Sequence, residues 1–225
     1  MGWTDIWKNR QVTATDFTLT NLLKLNGYDG VQADLNPENL KNALADYETM
    51  LLVDKEDSFY DVGCGSGAFL YYWNEKGHAV GGCDISNSLV NVARQSLTNG
   101  TWEVCEANKL KIRKRYDHLT AFGSFFYFPD YDYAKEVLHR MIMKAKKTVS
   151  VFDIPDIVKK DSSEAARREL IPDYDEKYKD APHLYYHKDW WMELGISLGL
   201  RCYVYEQRIP GYKNSDWRYN ITYWL

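Results

Sequence analysis

The most informative stretch of the sequence is DVGCGSG, at residues 61–67. A short apolar segment with strand character, Phe59–Val62, leads into its glycines, and Ala68–Lys76 follows them with helical spacing. Glycines at 63, 65 and 67 allow a sharp turn and let a ligand approach the backbone closely. The following helix would direct its free N–H groups and the positive end of its dipole toward that ligand. The stretch therefore predicts a nucleotide-binding loop.

Outward from this loop, short apolar strands alternate with helices. The predicted strands are Phe59–Val62, Ala79–Cys83, Trp102–Glu106, Leu119–Gly123, Thr148–Phe152, Arg201–Gln207 and Trp217–Trp224. The predicted helices between them are Ala68–Lys76, Ser86–Leu97, Tyr133–Met143 and Tyr186–Leu198. This order predicts an α/β, Rossmann-like sheet of seven strands, mostly parallel, with helices on both faces. The turn residues at 210–215 predict that the last strand is antiparallel.

The two ends of the chain differ from this central part. Apolar residues recur at helical spacing over 3–26, and Asn36-Pro37 opens a further helix. The charge-rich segment 156–185 interrupts the alternation and predicts an exposed, partly helical insertion. We therefore expect one domain, over 1–225. It would contain a helical lid (1–56), a cofactor-binding core (57–155), the insertion (156–185), and a C-terminal helix and hairpin (186–225).

Composition excludes several classes of protein. The 225 residues include 28 Lys and Arg against 32 Asp and Glu, a net charge of -4, so the basic surplus of a nucleic-acid-binding protein is absent. No apolar run approaches the roughly 18 residues of a membrane helix, and the N-terminus lacks a signal-peptide pattern. The four cysteines, at 64, 83, 105 and 202, form no CxxC pair. We expect reduced thiols, no metal site, no nucleic-acid or membrane partner, and a cytoplasmic location; the oligomeric state stays open.

Two acidic residues distinguish the candidate cofactors. Asp84 ends the second predicted strand, where a carboxylate can bind ribose hydroxyls. The loop alone permits a dinucleotide, because Ala68 stands three residues after Gly65. Asp61, however, places a carboxylate in the site, where it would repel a pyrophosphate and attract the ammonium and sulfonium groups of S-adenosylmethionine (SAM). These residues therefore favour SAM over NAD.

Residues 59–70 resemble motif I of the class I SAM-dependent methyltransferases, and the resemblance extends over about 57–153. It implies that Asp84 binds the ribose and that Glu106-Ala107-Asn108 binds the adenine, with Asn108 standing where Asp is common. Residues 117–123 and the loop after them resemble the fourth strand and the segment behind the methyl donor. With Trp3 and Trp7 as part of the lid, the predicted cofactor-binding residues are Trp3, Trp7, Asp61, Gly63, Cys64, Gly65, Gly67, Asp84, Ile85, Glu106, Ala107, Asn108 and Gly123.

The chain ends resemble small bacterial methyltransferases of polysaccharide or natural-product gene clusters. The residues that carry this resemblance are Trp3-xx-Ile6-Trp7, 26–29, 211–215 and 218–220. It implies methyl transfer from SAM to an oxygen or nitrogen of a small molecule that is sugar-like or a natural-product intermediate. Two alternatives remain open: a nicotinamide-dependent oxidoreductase, and a SAM- or nucleotide-binding module without catalysis.

The acceptor is expected where strands four and five and the loop before the last helix end. Tyr127, Asp153 and His187 are the predicted catalytic residues, because they offer a hydroxyl, a carboxylate and an imidazole at that rim. The predicted substrate-binding residues are His183, Tyr186 and Arg218. Arg218 would bind an anionic substituent, since a mildly acidic protein needs a local cation for one.

Overall fold

The computed structural model describes residues 2–30 and 34–225. Met1 and residues 31–33, which belong to the predicted lid, lie outside the described residues. The strands are β1 (Ser58–Val62), β2 (Ala79–Asp84), β3 (Thr101–Val104), β4 (Tyr116–Phe122), β5 (Ala145–Pro155), β6 (Arg201–Glu206) and β7 (Arg218–Trp224). The helices are α1 (Trp3–Lys8), α2 (Leu19–Leu25), α3 (Pro37–Leu51), α4 (Ala68–Glu75), α5 (Asn87–Ser96), α6 (Tyr131–Lys144), α7 (Lys160–Leu170), α8 (Tyr174–Tyr178) and α9 (Lys188–Ser197). None of the helices in these ranges is long and apolar enough to cross a membrane.

The strands form one sheet in the order β3-β2-β1-β4-β5-β7-β6. Pairings from β3 to β5 are parallel, whereas β7 runs antiparallel to both β5 and β6. The predicted Rossmann-like fold, with its antiparallel last strand, is confirmed. Because the carboxyl ends of β1, β2, β4 and β5 meet at one edge, the loops after them form a common surface.

Hydrophobic layers cover both faces of this sheet. Successive side chains of a strand point to opposite faces, so neighbouring residues of β1 enter different layers. Phe59 packs beside α4, where its ring stacks on Trp73 with centroids 3.8 Å apart. Tyr60 belongs to the opposite layer, which includes Met141 of α6 and Trp191 of α9. The helices thus hold the sheet, and with it the carboxyl edge, from both sides.

The N-terminal region differs from the single helical run expected over 3–26. It forms two short helices, α1 and α2, separated by an extended segment. The interruption has a local cause: Asp16 accepts hydrogen bonds from the backbone and hydroxyl of Thr18, and the Thr18 hydroxyl in turn accepts one from the Asn21 backbone. This cap begins a new helix at Leu19. Helix α1 is therefore a separate element, and it lies across the carboxyl edge of the sheet.

A buried ionic cluster lies at the opposite, amino-terminal edge of the sheet. The Asp57 carboxylate lies 2.6 Å from Lys147 Nζ and 3.0 Å from His118 Nε2. Burial opposes its ionisation, but the hydrogen bonds from Lys147 and His118 outweigh that effect and lower the pKa of Asp57. Burial lowers the pKa of His118, although Asp57 opposes the shift. This histidine therefore stays neutral in the fold under conditions in which the unfolded chain would protonate it.

The cluster predicts an acid-sensitive free energy of unfolding. Below the unfolded His pKa of about 6.5, the unfolded chain binds a proton that folded His118 does not. The free energy of unfolding therefore decreases as the pH is lowered, by at most about 1.4 kcal/mol per pH unit for this group. Urea unfolding at pH 7.5, 6.5 and 5.5 measures the slope. His118→Gln should flatten it, and the exposed His187→Gln should leave it unchanged; equal slopes in all three proteins would contradict the assignment.

Candidate functional site

A cavity of about 520 Å³ opens at the carboxyl edge of the sheet. Its wall comprises the glycine loop, the ends of β2 and β4, helix α1, the insertion and the turn before β7. Twelve of the predicted site residues line it: Trp3, Trp7, Gly63, Gly65, Asp84, Ile85, Glu106, Ala107, Gly123, Tyr127, His183 and Arg218. The structure thus brings together groups from both ends of the chain.

The glycine loop is shaped by Asp84. One carboxylate oxygen accepts a hydrogen bond of 2.8 Å from the Gly65 backbone, and the other accepts one of 2.8 Å from the Ser86 backbone. Gly65 has a φ of 53°, in the left-handed region that favours glycine. Burial raises the pKa of Asp84, and the backbone donors oppose this shift. The carboxylate at the end of β2 therefore fixes the loop and still faces the cavity.

The N-terminal region closes on the same loop. Asn26, at the end of α2, accepts a 2.8 Å hydrogen bond from the Ser66 backbone through its side-chain oxygen. A Cβ at Gly65 would lie 2.3 Å from that oxygen, so only glycine allows the approach. The Ser66 hydroxyl donates to the Leu22 carbonyl at 2.8 Å. Ser66 thereby joins the loop to the C-terminal part of α2 through two hydrogen bonds.

Four predicted cofactor-binding residues lie behind the cavity wall. Asp61 is 1% exposed and accepts a 2.7 Å hydrogen bond from Thr120, and burial raises its pKa to about 7. Cys64 is buried against β2, and Gly67 caps α4. The Asn108 side-chain amide donates to Glu136 at 3.0 Å. We therefore correct their placement: these residues support the loops and do not line the cavity.

The cavity has an aromatic roof made by α1. Trp3 donates from Nε1 to the Pro182 carbonyl at 2.9 Å, and its ring stacks on His183 with centroids 5.1 Å apart. Trp7 meets Tyr127 edge-on at 5.3 Å. Just beyond the C-terminal end of α1, the Arg10 carbonyl accepts a 2.5 Å hydrogen bond from the Ser88 hydroxyl, which fixes this end of the helix. Both tryptophans thus cover the space above the ends of the strands.

Asp153 organises the wall beyond β5. Its carboxylate accepts hydrogen bonds from Gln207 at 2.7 Å and from the Tyr212 hydroxyl at 3.0 Å, and the Arg218 Nε lies 3.9 Å away. Burial raises the pKa of Asp153, and Arg218 opposes the shift. Its φ of 61° is a left-handed conformation at an irregularity of β5. Asp153 does not line the cavity itself, whereas Tyr212 does.

Tyr28 brings a hydroxyl to the point where β4 ends. A Cβ at Gly123 would lie 2.0 Å from the Tyr28 oxygen, so this glycine makes room for it. Burial raises the pKa of Tyr28 well above its usual value, and Tyr212 and Asp153 add to the shift. The phenol therefore keeps its proton at neutral pH.

Sequence reasoning missed several residues of the cavity wall. The missed polar residues include Tyr28, Tyr133, Arg167, Tyr178, Tyr212 and Asn214. A usable signal existed for Tyr28 and for the turn at 211–215, because both belong to the segments that carry the resemblance of the chain ends. No comparable signal marked Arg167, which lies in the charge-rich insertion.

The predictions for two residues near the last helix, His187 and Tyr186, are wrong about their position. The helix begins at Lys188, not at Tyr186, and His187 is an exposed residue at its N-cap that does not line the cavity. Tyr186 is completely buried and donates its hydroxyl proton to the Phe125 carbonyl at 2.9 Å. His183 lines the cavity, its Nδ1 has no hydrogen-bond partner among the residues that the structure describes, and burial holds its pKa well below the usual value. The structure thus favours His183 as the imidazole at the site.

Comparison with known proteins supports the methyltransferase fold that the sequence indicates. A family model described as a methyltransferase domain matches residues 59–147. The chain has the fold of a class I SAM-dependent methyltransferase. The resemblance predicted from the sequence is confirmed. No curated protein sequence matched this chain.

Three solved structures illustrate the likeness. A plantazolicin methyltransferase in complex with SAH is 14% identical, covers 99% of this chain and 93% of that one, and has a TM-score of 0.70. A SAM-dependent methyltransferase from Clostridium acetobutylicum is 12% identical, covers 89% and 96%, and scores 0.65. The magnesium protoporphyrin IX methyltransferase from Synechocystis, solved with bound SAM, is 14% identical, covers 95% and 99%, and scores 0.58.

The contact between Tyr28 and Gly123 predicts that any side chain added at position 123 will clash with the Tyr28 hydroxyl. Gly123→Ala should destabilise the protein by several kcal/mol, because it combines left-handed strain of about 1–2 kcal/mol with a clash against the phenol. Gly77→Ala is the matched control: the φ of Gly77 is 88°, and no described residue beyond its chain neighbours has an atom within 4 Å of the added Cβ. Urea unfolding compares the two variants.

A double variant separates clash from strain. Adding Tyr28→Phe to Gly123→Ala removes the oxygen that lies 2.0 Å from the new Cβ. The double variant should recover most of the free energy of unfolding that Gly123→Ala loses in excess of Gly77→Ala. If Gly123→Ala and Gly77→Ala cost the same, the proposed close approach of Tyr28 is wrong.

Proposed function

We propose that this protein transfers the methyl group of SAM to an oxygen or nitrogen of a small molecule that is sugar-like or a natural-product intermediate. The observation that carries the proposal is that one cavity joins two chemically different ends. One end has the glycine loop and the Asp84 carboxylate; the other has Tyr127, His183 and Arg218. A donor and an acceptor bound at these ends would meet beneath the α1 roof.

The cofactor end fits SAM. Each Asp84 oxygen accepts one backbone hydrogen bond and retains a lone pair for a ribose hydroxyl. Glu106 and Ala107, at the end of β3, line the side of the cavity expected to hold the adenine. Gly63 and Gly123, at the ends of β1 and β4, line the part of the cavity that would hold the methionine part. SAM supplies an electrophilic methyl group, so the protein's contribution is alignment and exclusion of water.

The acceptor end supports catalysis over mere binding. His183 is neutral at pH 7, because burial lowers its pKa, and its Nδ1 has no partner in the described structure. An unprotonated imidazole can take the proton that a hydroxyl acceptor loses on methylation. Tyr28 and Tyr127 have pKa values raised by burial and act as neutral hydroxyls that orient the acceptor. Asp153 is a positioning residue, since it acts through Tyr212.

The structural neighbours favour this chemistry over the two alternatives. Neighbours of the same fold were solved with SAM or SAH, and the plantazolicin methyltransferase was also solved with desmethylPZN analogues. These complexes support methyl transfer over hydride transfer. The polar acceptor end supports an enzyme over a binding module. Within the single domain that we propose, 57–155 would bind the cofactor, and the segments 1–56 and 156–185 would cover the acceptor.

Asp84→Asn tests the cofactor site. Loss of the charge should weaken SAM binding about 10- to 100-fold, because hydrogen bonds to a charged group contribute roughly 1.5–3 kcal/mol. Isothermal titration with SAM measures it, and urea unfolding of the free protein accounts for changes in the loop. The exposed Asp189→Asn, which removes the same charge, is the control. Unchanged SAM affinity would contradict the site, and tight NAD binding without SAM binding would contradict the class.

His183→Gln tests the proposed base. Screening of metabolite extracts with labelled SAM identifies an acceptor, and kcat is then followed over pH 5–9. Because the pKa of His183 is lowered, the wild-type rate should stay high below pH 6.5 and fall only at lower pH. The variant should lose this acid limb and about 10²–10⁴-fold in kcat, whereas the exposed His187→Gln should keep both. A variant with wild-type kcat and pH profile would exclude His183 as the base.

A further inference from the structure

Two arginines are buried in the wall at the acceptor end of the cavity. Arg167 projects from α7 of the insertion and is 8% exposed; Arg218 begins β7 and is 2% exposed. They belong to different elements of the fold, and both line the same cavity. Fully buried arginines are rare unless their charges are paired, so their partners need to be identified.

The described residues leave these guanidinium groups only partly satisfied. Neither Nε of Arg167 nor Nε of Arg218 has a hydrogen-bond partner in the described part of the chain. Arg218 donates to the Asp153 carbonyl at 3.5 Å and lies 3.9 Å from its carboxylate. Within residues 2–30 and 34–225, Arg167 forms no ion pair, and its side-chain partner is the neutral Tyr174, with which it forms a hydrogen bond. Its neighbour Arg168 differs: it is exposed and pairs with Glu164 at 3.2 Å and with Asp175 at 3.0 Å.

Both arginines act on the same groups of the site. After burial, Arg167 and Arg218 are the causes that lower the pKa of His183, which leaves this imidazole neutral. Both arginines also oppose the rise in the pKa of Asp153 that burial causes, and its carboxylate already accepts hydrogen bonds from Gln207 and Tyr212. The two positive charges thus act on a carboxylate that is already hydrogen-bonded to neutral side chains. Since an unpaired buried cation is costly, the arrangement favours a negative group supplied by a ligand.

We propose that the acceptor carries an anionic group, a carboxylate or a phosphate, that binds between Arg167 and Arg218. This inference rests on the proposed function and names the class of its acceptor. Guanidinium groups suit both anions, because their forked N–H donors match oxyanion geometry. The Arg218 guanidinium lies 4.6 Å above the Phe126 ring, and Trp3 and Tyr127 are close by. The apolar part of the acceptor would pack against these rings, beside the anion.

Small aromatic anions test the proposal without knowledge of the natural acceptor. Protein saturated with SAH is titrated with benzoate, with phenyl phosphate and with benzamide, the neutral isostere of benzoate. Wild type should bind at least one of the anions about tenfold or more tightly than benzamide. The preferred anion distinguishes a carboxylate from a phosphate acceptor. If benzamide binds as well as both anions, the proposal is overturned, and this comparison does not depend on the folding of a variant.

Variants then locate the anion. Arg167→Gln should weaken binding of the preferred anion about 10- to 100-fold, and Arg167→Lys should weaken it less. Arg168→Gln, which removes an exposed charge one position away, should leave it unchanged. Equal anion affinity in Arg167→Gln and Arg168→Gln would overturn the proposed site. SAH affinity is measured in each protein: absence of SAH binding in wild type contradicts the proposed function, whereas SAH binding without anion preference contradicts this inference alone.

Discussion

The contact between Asn26 and the glycine loop is the constraint on which the site depends. The Asn26 side-chain oxygen accepts the Ser66 backbone hydrogen and occupies the space that a Cβ at Gly65 would need. The glycine that allows a ligand near the backbone therefore also allows α2 to dock. Two residues later, Tyr28 reaches Gly123 at the end of β4. One short segment thus joins the loops after β1 and β4, both of which line the cavity.

Burial of charge explains much of the remaining architecture. Asp84 and Asp153 both have a pKa raised by burial, and each is held by donors that favour its ionised form. Asp84 is held by backbone N–H groups, whereas Asp153 is held by side chains from the C-terminal hairpin region. Asp153 also has a left-handed φ, which costs roughly 1–3 kcal/mol and is typical of functional sites. The hairpin therefore contributes to the site through Asp153, and not only to the edge of the sheet.

The sequence predicted the sheet well because its signals are local. The glycine loop, the alternation of strands and helices and the turn before β7 each act over a few residues. Prediction of the site was less complete because packing between distant segments determines it. Arg167 was assigned to an exposed insertion, yet it shares a buried helix face with Ser163, four residues before it. His183 and His187 looked equivalent until the start of α9 at Lys188 left His187 in solvent.

The aromatic roof formed by α1 and the cavity wall beneath it stabilise each other. Helix α1 has six residues and no buried side chain, and a helix of that length is unstable alone. Its position therefore depends on the contacts of Trp3 with Tyr127, Tyr178 and His183. Those partners also line the cavity. Because the same rings hold α1 in place and line the cavity, the roof and the end of the cavity that we propose for the acceptor form one packing arrangement.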